Sequence, residues 1–251
     1  MNLGVGLARV KKKVLLIDAD PQGDLTVSLG WKNADKLDTT LTTIMSGIVR
    51  KQMPEEEGKL HHKEGVDLIP SNLELSAMEV SLVNVMSREN ILKRYIDKVK
   101  PDYDYILIDC MPSLGMLTIN ALAAADKVII PVQANYLPAK GMTQLLQTIS
   151  IVREDINPKL SIQGVLLTLV DGRTNHAKQV ESEIRQKYSR HIPVFDTKIP
   201  IGVKAAEVSA YGESLFSYDP KGAVTSAYER FSEEVCHGEK ERSRFGTAII
   251  R

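Results

Sequence analysis

The chain has 251 residues, its 32 Lys and Arg balanced by 32 Asp and Glu, and 43% of it is hydrophobic. That balance excludes a chain-wide basic field for nucleic acid, though not a local patch, and the composition excludes a disordered chain. Two cysteines far apart, Cys110 and Cys236, exclude a zinc ribbon or a CxxC redox motif and point to a reducing compartment.

In chain order, short apolar runs alternate with helix-length periodic segments. The start, residues 1–9, is too short and glycine-rich for a signal-peptide core. A strand is predicted over 14–17, running into Asp18. A polar loop follows over 51–64, with Pro54 and three consecutive glutamates. Next come a strand over 66–69 closed by Pro70, helices over 72–86 and 89–100, and a strand over 105–108 running into Asp109. A helix over 116–125, a strand over 128–130, a helix over 139–154 and a strand over 163–170 ending at Asp171 continue the alternation. Helices over 175–188 and 222–235 complete it. The apolar runs are continuous rather than alternating, as in strands buried on both faces. Repeated strand–helix–strand units imply an α/β fold with a mostly parallel sheet and helices on both faces. One domain is expected over 1–236, followed by a charged, flexible tail over 237–251. No apolar run reaches the roughly 18 residues of a membrane span.

Ligands on such sheets bind beyond the carboxyl ends of the strands, where Asp18, Asp20, Asp109 and Asp171 fall. The segment Asp18-Ala19-Asp20-Pro21-Gln22-Gly23-Asp24 delivers two carboxylates from a strand into a turn. Two residues apart in extended chain, Asp18 and Asp20 share a side. Such a pair can position hydrated Mg²⁺ or orient a water beside a phosphate; a solvated turn is the plain alternative. The run Tyr105-Ile106-Leu107-Ile108-Asp109 has the form of a Walker B element, in which apolar residues anchor a carboxylate near a Mg²⁺-bound water. His61-His62 read as a solvated loop. Cys110 reads as a small core residue, and Lys11-Lys12-Lys13 as a turn. The tail has a trace of basic amphipathic character but too short an apolar face for a membrane helix.

With these motifs the chain resembles the ParA/Soj/MinD group of deviant-Walker ATPases, and within it the Soj-like chromosome and plasmid partition ATPases. The resemblance is carried by VLLIDADPQG from Val14, YDYILIDCMPSLG from Tyr103, LTINALAAA from Leu117, VIIPVQ from Val128 and GVLLTLVDGRTN from Gly164. Ile199-Pro200, Ala205-Ala206-Glu207-Val208-Ser209 and Tyr218-Asp219-Pro220 complete it, in order along the chain. It implies a P-loop NTPase-like fold, ATP and Mg²⁺ as ligands, and an ATP-dependent homodimer. It further implies non-specific DNA binding, a ParB-like partner that stimulates hydrolysis, and a cytoplasmic, nucleoid-associated protein with no stable membrane association. By the resemblance Asp20 sets up hydrolysis, and Asp18 is its companion near nucleotide and metal. Asp109 is the Walker B acid that holds Mg²⁺ through water. Pro200 and Gly202 lie on the adenine-contacting loop, and Arg173 and Lys204 on the DNA-binding face.

The departures matter. The family's phosphate grip is a glycine-rich loop close to KGGVGKTT after a first strand. This sequence opens Met1-Asn2-Leu3-Gly4-Val5-Gly6-Leu7-Ala8, which matches the helix after that loop. Gly4-Val5-Gly6 is no substitute, since no strand precedes it and no GK[ST] follows; helix packing is the better reading. A missing central strand would leave its neighbours without ladder partners, at about 1–3 kcal/mol per buried unpaired group. Either the natural protein is longer or this is a truncated product, and in both cases these 251 residues are not expected to hydrolyse ATP. Relatives often carry Pro at Met111, a basic residue at Ile201 and Asn at Gly202, so charge is lost from the DNA face and an amide from the adenine loop. The alternative function is a nucleotide-independent pseudo-ATPase that acts by binding a partner.

Overall fold

In the computed structural model, residues 1–52, 58–134, 139–189, 192–240 and 246–250 are described. The chain opens with helix α1 (Asn2–Arg9), strand β1 (Val14–Ala19), and helices α2 (Asp24–Ser28) and α3 (Leu41–Val49). A hairpin of β2 (Leu60–His61) and β3 (Val66–Ile69) follows, then α4 (Ser76–Ser81), α5 (Ile91–Val99), β4 (Tyr105–Cys110) and α6 (Met116–Ala124). Next are β5 (Lys127–Gln133), α7 (Ala139–Asp155), β6 (Ser161–Val170), α8 (Asn175–Tyr188) and β7 (Val194–Pro200). Helices α9 (Val203–Glu207), α10 (Leu215–Tyr218) and α11 (Ala223–Lys240) precede β8 (Gly246–Ile250). The eight strands form one sheet in the order β2-β3-β1-β4-β8-β5-β6-β7. Every pairing is parallel except the β2–β3 hairpin.

The continuous apolar runs are explained by burial on both faces. Along β1, Leu15, Ile17 and Ala19 join one core layer, and Val14 and Leu16 the other. Along β4, Ile106, Ile108 and Cys110 face the first layer, and Tyr105 and Leu107 the second. The period of two thus sorts each run between two helical layers. The first layer takes α3 to α8. Helix α5 buries Ile91, Leu92, Tyr95, Ile96 and Val99 at helical spacing. Helix α6 is buried nearly all round, and its buried Asn120 is fully bonded: Oδ1 accepts from the Leu92 amide, and Nδ2 donates to the Arg88 and Met116 carbonyls. The second layer takes α1, α2 and α9 to α11. There Gly4 and Gly6 serve close packing: an added Cβ would lie 2.6 Å from Leu16 Cδ2 and 2.1 Å from Ser232 Oγ, respectively.

Several elements differ from the sequence expectation. The helix over 72–86 shrinks to α4, after a 3₁₀ turn at Leu73–Leu75. The periodic residues Val80, Val83 and Met86 are exposed (Met86 at 91%), so no core contact extends the helix. Part of the expected loop over 51–64 is β2; residues 53–57 lie outside the described ones. Strand β7 went unforeseen because it is a half-buried edge strand of mixed polarity. Its amides are nonetheless covered: Glu234 of α11 accepts from Asp196 N at 2.8 Å and Thr197 N at 3.0 Å.

Of the segment expected to be a charged, flexible tail over 237–251, residues 241–245 and 251 lie outside the described ones, and the rest is ordered into helix and strand. Helix α11 continues to Lys240, and Gly246–Ile250 enters the middle of the sheet between β4 and β5. The central gap expected from the absent first strand is therefore closed. Thr247, Ile249 and Ile250 supply the β-branched content that a strand favours.

Candidate functional site

The strands converge where sequence places their carboxylates. β1 and β4 run side by side in parallel, with Asp18 opposite Asp109 and Ala19 opposite Cys110. By the same alternation that sorts the core, both aspartates lie on the α1/α11 side of the sheet. Asp20 follows immediately, and the chain then turns: Gly23 N–H donates to the Asp20 carbonyl at 2.9 Å. Gly23 sits at φ +68°, a conformation that favours glycine.

Asp18 is fully buried and heavily bonded. Its Oδ1 accepts from Asp20 N at 3.2 Å, and its Oδ2 from Thr26 N at 2.8 Å and Thr26 Oγ1 at 2.6 Å. Thr26 Oγ1 in turn accepts from Ser71 N at 3.0 Å, on the turn after β3. A chain of bonds thus runs from Ser71 through Thr26 to Asp18 and on to the amide of Asp20. Burial pushes the Asp18 carboxyl up to about 6; the Thr26 bonds oppose the rise and Asp109 adds to it. Asp20 is half-buried, with Oδ1 accepting from Gln22 N at 2.9 Å. Burial also raises Asp109; the amino group of Met1 opposes this, while Asp20 and Asp24 reinforce it. Asp18, Asp20 and Asp109 thus gather where β1 and β4 end side by side, an acidic crevice at the carboxyl edge of the sheet. Asp109 also raises Tyr228 of α11, after the larger effect of that ring's burial.

Asp24, Thr26, Ser71 and Asn72 escaped sequence reasoning. Thr26 was legible only as a hydroxyl eight positions after Asp18, which no simple periodicity marks. Ser71 Oγ and Asn72 Oδ1 are buried without a hydrogen-bond partner among the described residues. Glu79 is another such residue: its carboxylate accepts from Met116 N at 2.7 Å and Leu117 N at 3.0 Å, at the N-terminus of α6.

The remaining predicted residues share the carboxyl edge but lie toward its other end. Pro200 ends β7, opposite Val170, and Gly202 precedes α9. Four strand spacings separate β4 from β7, roughly 19 Å. A Cβ on Gly202 would lie 2.5 Å from Val224 Cγ2, so close packing on α11 explains that glycine. Arg173 makes a two-pronged contact with Asp171, at 2.9 and 3.0 Å. Lys204 Nζ lies 2.8 Å from Asp219 Oδ1. Both cations are exposed, and each is held by a neighbouring carboxylate.

The donor set suits a hydrated magnesium ion, which takes one or two carboxylates plus waters: Asp109 and Asp20 fit that pattern. Among the described residues no group of three or more His, Cys, Asp or Glu could hold a metal by itself. No GK[ST] phosphate loop is present in the sequence. Nor is any described helix long and apolar enough to cross a membrane.

Known proteins resemble the chain over nearly its whole length. Residues 1–162 match the AAA domain family. The sporulation initiation inhibitor protein Soj of Bacillus subtilis is 42% identical over 235 residues, covering 94% of this chain and 90% of the relative. The chromosome partitioning protein ParA of Caulobacter vibrioides is 36% identical, covering 96% and 89%. Among solved structures, a cobyrinic acid a,c-diamide synthase of Mycobacterium smegmatis with bound ADP and magnesium superposes with a TM-score of 0.83 at 34% identity. That superposition covers 97% of this chain and 89% of the other.

Proposed function

We propose, for a chain that belongs to the ParA/Soj family of partitioning ATPases, that the acidic crevice at the tips of β1 and β4 is a magnesium–nucleotide site governing attachment to DNA. The observation that carries this reading is the in-register pair Asp18–Asp109 with Asp20 beside it. Asp109 would hold the ion through water. Bound there, magnesium supplies neutralisation of phosphate charge. Asp20 is the residue placed to orient a water. Asp18, buried and committed to Thr26 and to the Asp20 amide, positions that residue rather than acting itself. Pro200 and Gly202 would border the base.

The finer reading adds an ATP-dependent homodimer that binds DNA non-specifically through Arg173 and Lys204, answers to a ParB-like partner and works in the cytoplasm on the nucleoid. With no GK[ST] loop to grip the phosphates, the 251-residue chain is expected to bind nucleotide without hydrolysing it. The test is retention on non-specific DNA with and without Mg-ATP, for this chain and for one extended upstream by a strand and phosphate loop. Retention should require Mg-ATP and weaken with salt as phosphate contacts release counterions. ATP-independent retention, or none in the extended chain, would refute the reading.

One observation favours the alternative, a nucleotide-independent pseudo-ATPase. The amides at the start of α6, next to the Asp109 loop, already serve Glu79. Micromolar Mg-ATP binding measured by calorimetry would eliminate that alternative.

A further inference from the structure

The crevice has a third wall. β3 lies beside β1 on the side away from β4. In the parallel pairing of β1 with β3, Leu16 is level with Leu68 in the α1/α11 layer, and Ile17 with Ile69 in the other. The same register, carried past the strand ends, sets Asp18 level with Pro70 and Asp20 level with Asn72. The backbone is still extended at Asn72, with φ −147° and ψ 176°. The alternation therefore puts Asn72 on the side of the sheet that Asp18 and Asp109 occupy, and Ser71 on the opposite side. The segment is held against the turn after β1 at two points. Ser71 N donates to Thr26 Oγ1 at 3.0 Å, and a Cβ on Gly23 would lie 3.1 Å from the Ser71 carbonyl oxygen. Asn72 is only 5% exposed, and its Oδ1 is buried without a hydrogen-bond partner among the described residues. A buried amide oxygen left unpaired is costly, and such groups are ordinarily satisfied by ordered water or an ion. Its neighbours in the crevice are carboxylates, which when ionised accept and do not donate. The donor that Asn72 lacks must therefore come from a water or a ligand.

We propose that Asn72 is a positioning residue of the crevice: its carboxamide oxygen accepts a hydrogen bond from a water of the hydrated magnesium ion, on the β3 side of Asp20. This deepens the magnesium–nucleotide reading given above and rests on it. Magnesium keeps several of its waters when a protein binds it through one or two carboxylates, so outer acceptors are needed to orient them. A water polarised by the cation is a stronger donor than a free one, which suits an acceptor that has no other partner. A neutral amide also accepts without adding a fourth negative charge beside Asp18, Asp20 and Asp109. Sequence gave no sign of this role, because Asn72 follows Pro70-Ser71 in what reads as the start of a helix.

The test uses the full chain and titrates Mg²⁺ at fixed ADP by calorimetry, beside urea unfolding without metal or nucleotide. Asn72→Leu keeps the branched shape and removes the amide. It should raise the Mg²⁺ concentration needed for ADP binding by about tenfold, the equivalent of one bond to a charged group. It should leave ADP binding without Mg²⁺ unchanged. Since the lost oxygen has no partner in the protein, Asn72→Leu should be at least as stable to urea as the parent. Asn72→Asp retains an acceptor oxygen and should need no more Mg²⁺ than the parent. Thr42→Val removes another buried, unpartnered hydroxyl, on α3 across the sheet, and should not alter the Mg²⁺ requirement. An unchanged Mg²⁺ requirement in Asn72→Leu would overturn the proposal and leave the nucleotide reading standing. A leucine variant that folds but yields to less urea than the parent would also overturn it, by showing that the amide serves the fold. ADP binding to the unaltered chain that ignores Mg²⁺, or no binding at all, would remove the nucleotide reading and this role with it. Should leucine prevent folding, Asn72→Ala is judged by the same Mg²⁺ titration: a requirement equal to the parent's overturns the proposal, and a tenfold rise supports it.

Discussion

Replacing Thr26 with valine tests how the crevice is held. The two side chains have nearly the same shape, so the perturbation is the loss of one hydroxyl. That hydroxyl donates to the buried Asp18 carboxylate at 2.6 Å and accepts from Ser71 N at 3.0 Å. A hydrogen bond to a charged group contributes about 1.5–3 kcal/mol, and a buried donor left without a partner costs about 1–3 kcal/mol. Thr26→Val should therefore destabilise the fold by about 3–5 kcal/mol, or roughly 6–20 °C in melting temperature for a chain of this size. Thr26→Ser keeps both bonds and loses one methyl, about 1 kcal/mol. Urea unfolding followed by the fluorescence of Trp31, the single tryptophan, measures both. A Thr26→Val variant within about 1 kcal/mol of the parent, or a serine variant just as unstable, would refute the reasoning.

Two further outcomes follow from particular contacts. The Asp18 carboxyl is raised from 3.8 to about 6, so the folded state keeps its proton at pH values where the unfolded chain has lost it. This group's contribution is fully present below about pH 4 and is lost as pH rises through about 6, at ~1.36 kcal/mol per unit, or about 3 kcal/mol in all. The stability of the parent relative to Asp18→Asn should fall by that amount between pH 4 and 7, and a flat difference would remove the assignment. Gly6→Ala should cost about 1–3 kcal/mol by forcing α1 away from Ser232. Adding Ser232→Ala should recover part of that loss, and strictly additive effects would show that the two sites do not touch.

Much of the fold was legible because its physical signal is local. Strands buried on both faces must be apolar throughout, so β1, β3, β4 and β5 are plain in the sequence. The same holds for α5, whose apolar residues repeat at helical spacing over a buried face. The acidic crevice was equally legible: a carboxylate directly after a buried strand has to emerge at the sheet's edge, and adjacent parallel strands bring Asp18 and Asp109 together. What stayed hidden depends on contacts distant in sequence. β7 is polar because one side of it is solvated, and its amides rely on Glu234. Thr26 matters through Asp18, eight positions earlier, and Ser71, 45 positions later, which its hydroxyl joins. The exposed Val80, Val83 and Met86 imitate a helix's buried stripe without any core to meet. β8 was the hardest, since five residues beyond a charged stretch show strand character only when a slot awaits them.

Calorimetric titration of ADP into the 251-residue chain, with and without Mg²⁺ and repeated on Asp109→Asn, addresses the central claim most directly. Saturable binding that requires Mg²⁺ and is lost in Asp109→Asn is the expected result. Binding indifferent to both the ion and Asp109, or no binding to the unaltered chain, would contradict a nucleotide site at the tips of β1 and β4.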